Sequence, residues 1–239
     1  PDNQHVFVSD ESRARIDVFD LAPRQTPAVA VGRLVGRIPV ANGPVGLALS
    51  PDGKWLYSTN QRGPANMHES CAAERGGMRP HPAGLLLRIN VAKAIIDPRH
   101  AVAAALPAGC NPVRVAVSPD GGQLWVSARG GDALLDIDVD DWLAKKKRVR
   151  TMGYVIGTSP VGVAVRADDK QVWVALSARF GKDSDGKLVG LVNFNTKTPL
   201  KKLVARTPGF PRELAFLPDG RTLVATLYDS NQIVILRTP

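Results

Sequence analysis

The sequence predicts an all-β fold of repeated four-stranded antiparallel sheets, and three observations carry that expectation. A short phrase recurs as SPDGKWLYS from Ser50, SPDGGQLWVS from Ser118, RADDKQVWVA from Arg166 and LPDGRTLVAT from Leu217, with PDNQHVFVS opening the chain. Its aspartates, Asp2, Asp52, Asp120, Asp168 and Asp219, stand 50, 68, 48 and 51 residues apart. Second, Pro44, Pro112, Pro160 and Pro211 each precede the Pro or Ala of the phrase by seven residues. Third, the segments just after the turn within the phrase (LYS, LWV, VWV, LVA) are in several copies apolar at consecutive positions as well as alternate ones. That pattern means burial on both sheet faces, as when each sheet is stacked between two neighbours. A period near 50 residues marks stacked repeat units.

Each unit reads as strands A to D. Strand A is PVGLALS, PVRVAVS, PVGVAVR or PRELAFL, with Ala48, Ala116, Ala164 and Ala215 in one column. An Asp-Gly type turn follows, because a tight hairpin needs positive φ or a side chain that closes on its own backbone. Strand B is the apolar triplet, for which VFV is the first-copy equivalent. Strand C is RIDVFD, LLLRIN, LLDIDV, LVGLVNFN or QIVIL, and the variable strand D is GRLVGRIPV, AVAAAL, VRTMGYVIG or KKLVA. Four-stranded units of this length, stacked radially, are β-propeller blades. The blade units are expected at about 1–40, 41–108, 109–157, 158–206 and 207–239 of a single domain, 1–239, all antiparallel with negligible helix. The first lacks strand A and the last lacks strand D, so the expectation is a fragment of a larger ring.

A proline, an alanine column, SPDG and an apolar or aromatic triplet together resemble the YVTN-repeat β-propeller family, across essentially the whole chain. LYSTN from Leu56 is the nearest approach to the literal tetrapeptide, and FPRELAFLPDGRTLVAT from Phe210 is similar to the final repeats of many members. The resemblance implies a surface or periplasmic propeller, distantly lactonase-like. It is specific for fold, since such repeats scaffold binders, enzymes and structural proteins alike.

The composition fits one soluble domain: 44% hydrophobic and 22% charged residues over 239 positions. No apolar run reaches the roughly 18–20 residues of a membrane span. The opening residues are polar and carry no signal peptide. Two cysteines sit in loops that a propeller places on the same face, conventionally the top. Cys71 lies in a long B–C insertion of the second blade, and Cys110 between that blade's strand D and the next strand A. A Cys71–Cys110 disulfide is expected, which suits a periplasmic or secreted protein. The insertion also carries His68, Glu69 and His81, but no C-x-x-C or H-E-x-x-H spacing, so they read as a polar loop and neither metal nor cofactor is expected.

Net charge is +9. Arg62, Arg129 and Arg179 follow B strands, and Arg114 and Arg212 open innermost strands beside the central channel. The Arg114 column holds Gly46, Gly162 and Glu213, so Glu213 stands to neutralise Arg212 or a neighbour across the channel. The rest form a basic funnel suited to a carboxylate or phosphate. KKKRVR from Lys145 offers phosphate contacts for nucleic acid. With aromatics at 5% and Trp55, Trp125 and Trp173 expected to be buried, however, no stacking platform for single strands is evident. No G-x-S-x-G elbow, phosphate loop or dinucleotide fingerprint is present. The reading is therefore a non-catalytic, exported scaffold that binds a protein or small anionic ligand on its top face. The alternative implied by the resemblance is a lactonase-like hydrolase drawing on Arg114, Glu213, His68 and Glu69.

Overall fold

A computed structural model describes residues 2–21, 32–67, 69–72, 80–145, 149–177, 186–192 and 201–239. The first sheet is β1 (His5–Asp10), β2 (Arg15–Leu21) and β3 (Gly32–Pro39). The second is β4 (Asn42–Leu49), β5 (Trp55–Arg62), β8 (Leu85–Asn90) and β9 (Val102–Pro107), interrupted by a hairpin of β6 (Ser70–Cys71) and β7 (His81–Pro82). The third runs β10 (Pro112–Val117), β11 (Gln123–Ala128), β12 (Ala133–Asp138) and β13 (Thr151–Val155). The fourth is β14 (Pro160–Val165), β15 (Gln171–Leu176), β16 (Gly186–Val192) and β17 (Lys201–Thr207), and the fifth is β18 (Pro211–Phe216), β19 (Thr222–Leu227) and β20 (Gln232–Arg237). Every neighbouring pair within a blade is antiparallel. Among the described residues the first blade carries B, C and D and the last carries A, B and C, as the repeats predict.

Four cores fill the gaps between five blades. Ile16, Val18 and Ile38 meet Leu56, Leu87 and Ile89 between blades 1 and 2. Tyr57 and Leu86 meet Leu124, Val126 and Ile137 between blades 2 and 3. Trp125 and Leu134 meet Val172, Val174 and Leu191, and Trp173 and Leu188 meet Leu223 and Ala225. Alternation explains the consecutive apolar residues: Leu124 and Val126 face one neighbouring blade while Trp125 between them faces the other. Strand B of blades 2, 3 and 4 thus feeds two cores.

The repeated aspartate has a structural task. Asp52 Oδ1 accepts from the Ser50 hydroxyl at 2.6 Å and the Lys54 N–H at 3.1 Å, and Asp120 accepts likewise from Ser118 and Gly122. Asp219 takes the Arg221 and Thr222 N–H groups. These bonds favour the ionised form, holding the carboxyls of Asp52 and Asp219 down at about 2. The next residue is left-handed: Asn3 at φ 55°, Asp169 at φ 57°, and glycine in the other copies.

Helix is not negligible. At two C–D corners the chain makes a short helix, α1 (Val91–Ile96) and α2 (Val139–Leu143). Asn90 caps the first by accepting the Lys93 N–H, and Asp138 caps the second by accepting the Asp141 N–H. α2 falls in the tract before the basic run, and α1 corrects the expectation of negligible helix. Trp55 is also corrected: Trp125 and Trp173 are buried, whereas Trp55 is only half-buried.

Blade 3 hides a carboxylate. Asp136 is 5% exposed, lies across the ladder from Trp125, and its Oδ1 has no hydrogen-bond partner. Burial pushes its carboxyl up to about 6, opposed by Arg150 and reinforced by Asp138 and Asp169. Because the folded state holds this proton more tightly than the unfolded chain does, the group's contribution is fully present below about pH 4 and is lost as pH rises through 6. The loss is expected to be about 2 kcal/mol after allowance for residual solvation. Asp136→Asn should therefore melt several degrees above the parent at pH 8 and match it at pH 4. Thermal unfolding across that range checks this, and a parent Tm that is flat between pH 5 and 7 contradicts it.

Candidate functional site

Antiparallel alternation sends the A–B and C–D turns to one end of every blade and the B–C and D–A loops to the other. The insertion after β5 belongs to the second end, the top face. Its hairpin pairs Cys71 with His81, and Cys71 is disulfide-bonded to Cys110 with 5.6 Å between Cα atoms. Two backbone bonds reinforce that weld, Gly84 N–H to the Gly109 carbonyl at 2.8 Å and Ala108 N–H to the Gly84 carbonyl at 2.9 Å. The cysteine pairing expected from the loop positions is present.

Each strand A begins with a bulge, where the register shifts between Pro44 and Leu47, Pro112 and Arg114, Pro160 and Val163, and Pro211 and Leu214. The bulge leaves an N–H that the ladder does not use, and in blades 2, 3 and 5 a strand B hydroxyl takes it. Gly46 N–H donates to Thr59 Oγ1 at 2.9 Å, Arg114 N–H to Ser127 Oγ at 3.1 Å and Glu213 N–H to Thr226 Oγ1 at 3.2 Å. Thr59 then donates to the Val113 carbonyl of the next blade at 3.0 Å, tying the innermost strands together.

This scaffold places Arg114 and Glu213 on blades 3 and 5, with blade 4 between them. The blade 4 residue in the same column is Gly162, so no side chain stands in the way. Arg114 Nε donates to both Glu213 oxygens, at 2.8 and 3.1 Å, and Nη2 also donates to Oε1. The pair is only partly exposed on the arginine side. Glu213 thus neutralises the neighbour across the channel and not Arg212. Arg114 is the neighbour that Glu213 neutralises, its guanidinium held by the carboxylate through Nε and Nη2.

The remaining predicted residues are dispersed. Arg212 is exposed, with its guanidinium carbon 5.0 Å from the centroid of the Tyr228 ring. Arg62 ends β5 and is exposed. Arg129 is half-buried, and its N–H donates to the Asn111 carbonyl beside the disulfide. Arg179 lies outside the described residues, as does His68. Glu69 is exposed, whereas His81 is buried, with Nδ1 donating to the Pro82 carbonyl at 2.8 Å. Among the described residues, no three histidine, cysteine, aspartate or glutamate side chains converge as metal ligands. One feature escaped the sequence reading, an arginine in the middle of an apolar strand: Arg88 in LLLRIN is buried between blades 2 and 3.

No protein-family model matches the sequence, and no curated protein matches it. Solved structures do. The chain is similar to a Bacteroides fragilis protein whose crystal structure carries the name of a 6-phosphogluconolactonase, with TM-score 0.72 and 12% identity over 99% of this chain and 64% of that one. It is also similar to hydrazine synthase of Kuenenia stuttgartiensis, with TM-score 0.70 and 18% identity over 100% and 61%. A third is the dihydro-heme d1 dehydrogenase NirN in complex with DHE, with TM-score 0.59 and 18% identity over 98% and 41%. At these identities the likeness is one of fold: a β-propeller of lactonase-like type. The chain spans less than two thirds of the length of these structures.

Proposed function

We propose that this chain is an exported β-propeller scaffold with YVTN-type repeats, which binds a protein or small anionic ligand on its top face without catalysis. The observation that carries the reading is Arg212, an exposed guanidinium stacked on Tyr228 and next in sequence to Glu213. A stacked guanidinium presents its donor edge to an incoming anion. A bidentate anion that displaces the Glu213 carboxylate gains Arg114 as a second anchor. The disulfide supports the exported part of the reading. Among the described residues no helix is long and apolar enough to cross a membrane.

The hydrolase alternative would need a free acid or base over the channel. Glu213 is committed to Arg114 in this structure, which favours binding over hydrolysis. Titration with carboxylates, phosphates and acidic peptides tests the proposal. Arg212→Ala is expected to weaken binding by roughly tenfold, and Glu213→Gln to strengthen it by releasing Arg114. Affinity should also fall in high salt. If no anion binds, or if Arg212→Ala binds as the parent does, the top face is not an anion site.

A further inference from the structure

The outer rim carries a second site. In blades 1 to 4 the outermost strand bonds to strand C along one edge and turns the other away from the ring, and such an edge is a template for another chain unless it is guarded. Blade 1 guards it with charge: β3 carries Arg33 and Arg37, ion-paired with Asp20 and Asp17. Blade 4 has Lys202 and Arg206 on β17. Lys202 also serves blade 3, where its Nζ donates to the Val155 carbonyl of β13 at 2.7 Å. Blade 2 is different. Its β9 reads VAAALP, without a charged side chain, and among the described residues no side chain is bonded to its outer edge.

Alternation fixes which backbone groups of β9 face outward. Pro107 stands opposite Leu85 and has no N–H to give it, so that pair is not hydrogen-bonded. Ala105, opposite Leu87, is in the same phase, and its N–H and C=O therefore point away from β8. Ala104 and Leu106 pack against the core between blades 2 and 3, whereas Val102, Ala103, Ala105 and Pro107 are exposed. Their small side chains leave the backbone open to close approach. The corner that leads into β9 is both apolar and basic, with Ile96 83% exposed and Arg99 and His100 exposed beyond it. His100 faces Asp97 at 2.9 Å, but Arg99 has no ion-pair partner among the described residues.

We propose that β9 docks an extended acidic peptide segment by strand addition. The segment runs antiparallel to β9 and exchanges backbone hydrogen bonds with Ala105, so that its carboxyl-terminal flank of aspartate or glutamate arrives beside Arg99. The backbone bonds supply affinity, and Arg99 sets the direction of the strand. A net charge of +9 disfavours a basic partner and a second copy of this chain alike. The site uses none of the top-face arginines.

The probe is the peptide acetyl-Thr-Val-Thr-Val-Thr-Asp-Asp, with a lysine-ended version as its control. Fluorescence anisotropy on the 239-residue chain should show saturable binding, roughly tenfold weaker for the lysine version. Hydrogen exchange should show the Ala105 amide protected by the peptide. Ala105→Pro removes an outward N–H, which an edge strand tolerates, and should weaken binding roughly tenfold with the melting temperature unchanged. Arg99→Glu should weaken it roughly fivefold. Absence of saturable binding overturns the proposal, as does a folded Ala105→Pro that binds like the parent. Should Ala105→Pro not fold, the parent still decides: equal affinity for a peptide N-methylated along its backbone overturns strand addition. Dimerisation of the parent that Ala105→Pro abolishes also overturns it, because a second copy then occupies the edge.

Discussion

Replacing both Cys71 and Cys110 by serine is expected to lower the stability of the chain by about 4 kcal/mol. The bond closes a loop across a sequence separation of 39 residues, and the chain entropy withheld from the unfolded state grows with the logarithm of that length. The native side of the balance is little strained by the loss. Cys71 stays paired with His81, and the Gly84–Gly109 and Ala108–Gly84 backbone bonds still hold the insertion to the D–A loop. The effect should therefore be mostly on the unfolded chain, with the fold retained and the melting temperature lowered by on the order of 10 °C. Thermal unfolding of the double-serine variant, and of the parent with and without reductant, measures it. Reduced and oxidised protein melting together would mean that the insertion is fixed by its backbone bonds alone.

What the sequence made legible is what repeats. A period near 50 residues, an aspartate that closes its own turn and, in the three interior blades, a strand B feeding two cores are local rules applied copy after copy. Their agreement from copy to copy specifies the blades before any contact is known. The cysteine pairing was legible for the same reason, since strand alternation alone puts B–C and D–A loops on one face. Arg114 was less so. Its column could be read, but its partner is 99 residues away and reaches it only because blade 4 offers a glycine there. Arg88 and its aromatic surroundings were not legible. Trp142 reaches that gap from α2, a five-residue helix fixed by an aspartate cap and by packing, and helices this short have little intrinsic signal. Residues that meet between two blades come from unrelated positions of two repeats, so no spacing rule connects them.

Gly162→Ala is expected to cost about 3 kcal/mol, a large effect for the addition of one methyl group. β14 and β18 are the innermost strands of adjacent blades, where the blades converge and the backbones come closest. A Cβ on Gly162 would overlap the Arg212 carbonyl oxygen and lie 3.2 Å from Glu213 Cα. Both are backbone atoms, so no side-chain rotation relieves the collision, and β18 must move away from β14. The movement carries Glu213 with it, so the variant should also loosen the Arg114–Glu213 pair. A double-mutant cycle tests that link: Arg114 and Glu213 should couple measurably in the parent and much less in the Gly162→Ala background. Gly131→Ala is the control, because its new methyl group would meet nothing within 4 Å and should change stability by less than about 0.5 kcal/mol. Urea unfolding of the two variants beside the parent reads the difference directly. If Gly162→Ala unfolds at the parent's midpoint, the inner strands have room to spare and the ion pair does not depend on the missing side chain.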